Sequence, residues 1–150
     1  MAKGPICYTI GYGDRTLEEF ISLLHESKIT HLIDVRRYPH SWMEDFDKGS
    51  LQAMLPKNGV AYVHCAGVGG MRESSYSEYM GTEEFNKSFS RLVDLILEVN
   101  SIDGNPVLMC AEKNPKDCHR RYLAQHLEQQ SGIKIVHLTE TGQMDLCSFF

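Results

Sequence analysis

Short apolar runs alternate with longer apolar stripes along the chain, and their periods predict its elements. Ile6 to Gly11 reads as a strand that ends at Gly11-Tyr12-Gly13. Thr16 and Glu19 then write T-x-x-E, a capping box in which each residue's side chain satisfies a free backbone N–H of the other. Leu17, Phe20, Ile21 and Leu24 follow at i, i+3, i+4 and i+7, the stripe of a helix laid on a sheet. His31 to Arg36 is the second strand and Val60 to Cys65 the third. Thr82 caps a long helix whose inward face is Phe85, Phe89, Leu92, Ile96 and Val99, with Glu83 and Glu84 complementing its dipole. Pro106 to Cys110 is wholly apolar, the pattern of a strand buried on both faces. Asp117 caps a further helix facing inward through Leu123, Ala124 and Leu127, and Ile133 to Leu138 is a last strand.

Strand and helix in this rhythm predict an α/β fold: three-layer, Rossmann-like, a mostly parallel sheet of about five strands with helices on both faces. There is no repeat, low-complexity tract or linker, so residues 1–150 read as one domain, with residues 139–150 unassigned. Composition agrees. In 150 residues, 42% hydrophobic and 23% charged is globular usage and excludes a disordered chain or a coiled coil. Fifteen Lys+Arg against twenty Asp+Glu give a net charge of −5, which disfavours nucleic acid as a partner without forbidding a local basic pocket. No apolar run approaches the roughly 20 residues of a membrane span. The first residues do not read as a signal peptide, so a cytoplasmic protein is expected. Five cysteines, an odd number widely spaced, fit reduced thiols there.

In an open parallel sheet, ligands bind beyond the carboxyl ends of the strands. The unusual residues collect there. Strand one ends in Gly11-Tyr12-Gly13, and strand two in Asp34-Val35-Arg36-Arg37. Strand three ends in His64-Cys65, ahead of Gly67, Gly69, Gly70 and Arg72; strand four ends in Cys110-Ala111-Glu112, ahead of Cys118-His119-Arg120-Arg121. Cys118 and His119 fall on the first turn of a helix, where free N–H groups and the dipole favour an anion and lower a thiol pKa. Arg120 shares the inward stripe of Leu123, Ala124 and Leu127, so it needs a carboxylate or a bound anion.

Plainer readings stand beside these. Cys110 closes an apolar strand, where a cysteine is more often a small core hydrophobe. His64-Cys65 fits packing plus one hydrogen bond, and Arg120 fits an ion pair with Asp34 or Glu112. Sharper motifs are missing. G-x-G-x-x-G fails at Thr16, and no C-x-x-C or H-x-x-x-H spacing marks a metal, so no metal ligand is assigned. A phosphatase-type C-x-x-x-x-x-R fails because Lys116 stands where the arginine should follow Cys110. No cofactor and no oligomeric state can be read.

Thr9-Ile10-Gly11-Tyr12-Gly13, Glu19-Phe20, Ile33-Asp34-Val35-Arg36, Pro39, Ser41, Gly69-Gly70, Tyr79-Met80, Glu84-Phe85 and Cys110-Ala111-Glu112 with Cys118-His119-Arg120 resemble the family catalogued as domain of unknown function 488. Val68 departs from that family's usual Leu before the paired glycines. The resemblance implies a small cytoplasmic prokaryotic α/β protein whose site is lined by those Arg, Glu and Cys-His-Arg positions; it supplies no reaction. A weaker likeness is to rhodanese-type sulfurtransferases, through Leu32 to Arg36 and the strand-Cys-loop-helix at Cys110, although the loop here is longer and lacks glycine.

Together these residues suggest an enzyme acting on an anionic, phosphate-bearing small molecule or nucleotide. Cys118 or Cys110 would be its nucleophile and Glu112 or His119 its acid/base group. Arg36, Arg37, Arg72, Arg120, Gly69 and Gly70 would line the anion. The alternatives are a non-catalytic nucleotide or nucleic-acid binding domain, or a Cys/His metal site.

Overall fold

The computed structural model describes residues 4–13, 15–36, 44–68, 76–110, 120–139 and 142–145. Six strands form one sheet: β1 (Ile6–Gly11), β2 (His31–Asp34), β3 (Ala61–His64), β4 (Pro106–Cys110), β5 (Lys134–Thr139) and β6 (Gly142–Asp145). Their order is β3-β2-β4-β1-β5-β6. The first five are parallel, and β6 runs antiparallel to β5. The helices are α1 (Leu17–Glu26), α2 (Lys48–Met54), α3 (Tyr76–Met80), α4 (Glu83–Ser101) and α5 (Arg120–Ser131).

Alternation along each strand divides the core between the two faces. Ile10, Leu32, Val107, Met109 and Leu138 pack with Phe20 and Leu24 of α1 and Leu51 of α2. Cys7, Ile33, Val35, Leu108, Cys110 and Ile135 pack with Phe85, Phe89, Leu92 and Ile96 of α4 and with Leu123, Ala124 and Leu127 of α5. The architecture is therefore three-layer α/β, as the periodicity predicts. All three expected helix stripes face the core: those of α4 and α5 are buried, as are Phe20 and Leu24 of α1, while Leu17 and Ile21 are half-buried. Thr16 and Glu19 exchange their capping-box bonds at 3.1 and 3.2 Å, and Thr82 accepts from the Phe85 N–H at 3.2 Å.

Three differences from the sequence reading have physical causes. β2 ends at Asp34 rather than Arg36, because the Asp34 carboxylate accepts the Arg36 backbone N–H at 3.1 Å and turns the chain off the ladder. The segment before β3 holds α2, too short for a helical period to show, although Leu51 and Leu55 are fully buried. β6 occupies part of the unassigned tail; Gly-Gln-Met-Asp has no alternation, and only backbone pairing with β5 makes it a strand.

Among the described residues, four acids hold their protons more tightly than usual. Burial raises the pKa of Cys7 and Tyr8. It does the same for Cys65, against the opposing charge of Arg91, and for Tyr62, with help from Asp34. Above a pH of about 8.5 the unfolded chain releases the cysteine protons while the folded one retains them. Folding free energy should therefore decline between about pH 8 and 10 in urea titrations, and Cys7→Val should make that decline shallower.

Candidate active site

β4 lies between β2 and β1, and the chain leaves β1 and β4 in opposite directions. From β1 it passes through α1 to β2; from β4 it passes through α5 to β5. The two connections cross on opposite faces of the sheet, α1 on one and α5 on the other, and adjacent strands whose exits part to opposite faces are where open α/β sheets bind ligands. Gly11 and Cys110, the last residues of the two strands, are register partners, and the Tyr12 N–H donates to the Cys110 carbonyl at 3.3 Å.

On the α1/α2 side of this edge sits a buried ionic network. Arg36 grips Asp34 with two parallel bonds, Nε to Oδ1 at 2.9 Å and Nη2 to Oδ2 at 2.6 Å. Its Nη1 donates to the Phe46 carbonyl at 2.7 Å. The Tyr62 hydroxyl donates to Asp34 Oδ2 at 2.5 Å, and His64 Nε2 donates to the Arg36 carbonyl at 2.8 Å. The Arg36 guanidinium also lies 5.5 Å from the centroid of the Tyr12 ring, which stacks on Phe46 at 4.6 Å. Asp34 is fully buried and Arg36 is 8% exposed. Burial opposes the charge on Arg36, but the bonds and charge of Asp34 outweigh it and raise the pKa further. Asp34 is thus gripped by Arg36.

The α4/α5 side carries the thiols. Cys110 is 6% exposed and packs in that core, and Cys65 lies half-buried against the same cluster. Cys7, Cys65 and Cys110 form no disulfide. Cys110 and Arg36 thus leave the sheet on opposite faces and can meet one ligand only beyond the strand ends. Gly67 is required by packing: an added Cβ would lie 2.5 Å from the Ser88 Cβ.

Of the expected site residues, the structure describes Cys110 and Arg36 in full. Arg120 opens α5, but its side chain lies outside what is described. Arg37, Gly69, Gly70, Arg72, Glu112, Cys118 and His119 lie outside the described residues, as does the expected cap Asp117. His64 and Cys65 match the plainer reading, one hydrogen bond and partial packing. Sequence reasoning passed over Arg15. It is 2% exposed, with Nε donating to the Gly11 carbonyl at 2.9 Å. Its signal was available, an arginine between a glycine turn and a helix cap, but it lies on no apolar stripe.

Among the described residues no three His, Cys, Asp or Glu side chains gather as a metal site, and no helix is long and apolar enough to cross a membrane. The family model described as "Domain of unknown function DUF488" matches residues 16–127. No curated protein and no solved structure matches the chain. The match spans most of the sequence, and the protein belongs to the DUF488 family.

Proposed function

We propose that this DUF488 protein is a cysteine-dependent enzyme acting on an anionic, phosphate-bearing small molecule or nucleotide at the carboxyl edge of its sheet. The observation that carries the reading is the opposite-face exits of the adjacent strands β1 and β4, with Cys110 and the buried Asp34–Arg36 pair at that edge. Arg37, Arg72 and Arg120, with the backbone amides of Gly69 and Gly70, hold the anion, and Arg36 completes the basic edge. Cys118, or else Cys110, attacks as thiolate. A bond forms from sulfur to the phosphorus, and the leaving oxygen takes a proton from His119 or Glu112. Water then breaks the sulfur bond and returns a proton to the same group.

The test is alkylation of the folded protein against pH, followed by peptide mass spectrometry in wild type and in Cys118→Ser and Cys110→Ser. Cys7 and Cys65 are expected to react slowly at neutral pH, because burial raises both. One thiol, Cys118 or Cys110, is expected to titrate at least about one unit below the free-cysteine value near 8.5. If neither does, the nucleophile assignment is wrong, and a non-catalytic anion-binding domain becomes the better reading.

A further inference from the structure

Beyond β3 the chain forms a short 3-10 turn, Ala66–Val68, and α3 begins at Tyr76. Gly69, Gly70 and Arg72, assigned to the anion in the reading above, lie between the two in sequence. Turn and helix are tied to each other: the Tyr79 hydroxyl donates to the Gly67 carbonyl at 2.6 Å. Both partners are anchored on α4. Gly67 sits against Ser88 with no room for a Cβ. The Tyr79 carbonyl accepts the Thr82 N–H at 2.9 Å and the Thr82 hydroxyl at 2.7 Å, and the Tyr79 ring meets Phe85 edge-on at 5.7 Å. Val68, at 1% exposure, and Tyr79, at 2%, belong to the same core cluster. One hydrogen bond thus closes the base of the segment that carries the paired glycines.

Backbone amides make a good phosphate site only when they are held in advance, because ordering them on binding costs affinity. Glycines raise that cost, since they have the most backbone freedom to lose. A contact that closes the segment at its base removes part of this freedom before the ligand arrives. Core packing needs the Tyr79 ring, and phenylalanine would keep it; the hydroxyl bears on the segment instead. We infer that Tyr79 is a positioning residue: its hydroxyl, through the Gly67 carbonyl, holds the segment of Gly69, Gly70 and Arg72 ready for the phosphate of the ligand. This inference rests on the anion-binding reading above.

The experiment is calorimetric titration of pyrophosphate into wild type, Tyr79→Phe and Asn100→Ala, with urea denaturation and amide hydrogen exchange of each. Asn100 bonds the Ile6 N–H at 2.7 Å and the Ile6 carbonyl at 3.0 Å, at the amino edge of the sheet, so its replacement lowers stability away from the site. Tyr79→Phe is expected to weaken pyrophosphate binding by about three- to tenfold, the scale of one net hydrogen bond. It should also speed exchange over residues 66–75. Asn100→Ala, at an equal or greater loss of stability, should leave the affinity unchanged. In wild type, bound pyrophosphate should slow exchange over the same residues, a readout that needs no variant to fold. Three results would each make the hydroxyl a structural bond and overturn this inference alone. They are unchanged affinity in Tyr79→Phe, an equal loss in both variants, and exchange over 66–75 that bound pyrophosphate does not alter. Absence of pyrophosphate binding by wild type would overturn both it and the reading on which it rests.

Discussion

Asp34→Ala is expected to destabilise the fold by about 3–5 kcal/mol, the range for removing one partner of a buried ion pair. Two Arg36 side-chain bonds, the Arg36 backbone N–H and the Tyr62 hydroxyl all converge on this carboxylate. Alanine would leave a permanently charged guanidinium at 8% exposure with no carboxylate to meet it. Much of a typical domain stability of about 5–15 kcal/mol would be lost. The urea midpoint should fall sharply with little change in slope. Asp34→Ala combined with Arg36→Met should cost clearly less than the two single changes added together, because the second removes the stranded charge. A single-variant loss below about 1 kcal/mol would mean that the pair behaves like a solvated surface bridge.

Phe46→Ala is the second large effect, expected at about 3–5 kcal/mol. Phe46 is 1% exposed, stacks on Tyr12 at 4.6 Å and meets the edge of Phe20 at 5.2 Å. It belongs to a short 3-10 turn, Glu44–Phe46, whose place over the sheet depends on this ring. Its loss removes the packing on one side of Tyr12 and loosens the carbonyl that accepts Arg36 Nη1. Phe46→Leu, which retains most of the apolar volume, should cost about 1–2 kcal/mol less in the same titration. Equal losses for the two variants would show that filling the volume is not what matters there.

Much of the fold was legible because its elements announce themselves by period. The α4 stripe of Phe85, Phe89, Leu92, Ile96 and Val99 is buried as its spacing implies, and so is every residue of β4. The surplus of negative charge also lies where a soluble helix face would put it, on exposed Glu18, Glu26, Glu83 and Glu98. Elements made by tertiary pairing were not legible. β6 exists through its bonds to β5, and α2 through Leu51 reaching the core. At the site, the strand-end rule found Asp34, Arg36 and Cys110. It could not show that Arg36 folds back on the aspartate two residues before it, since that depends on a local turn. Nor could it find Arg15, whose burial comes from the β1 turn and the Gly11 carbonyl rather than from any periodic face. The polar residues of this edge were visible as types, while their pairings needed the geometry.

The ligand proposed for the carboxyl edge of the sheet bears a phosphate. Calorimetric titration of a nucleoside monophosphate and of its parent nucleoside, into wild type and into Arg120→Ala, tests it most directly. Wild type is expected to bind the monophosphate and to bind the nucleoside much more weakly, with a loss of about tenfold or more in Arg120→Ala. Equal binding of nucleoside and monophosphate, or monophosphate affinity unchanged by Arg120→Ala, would contradict it.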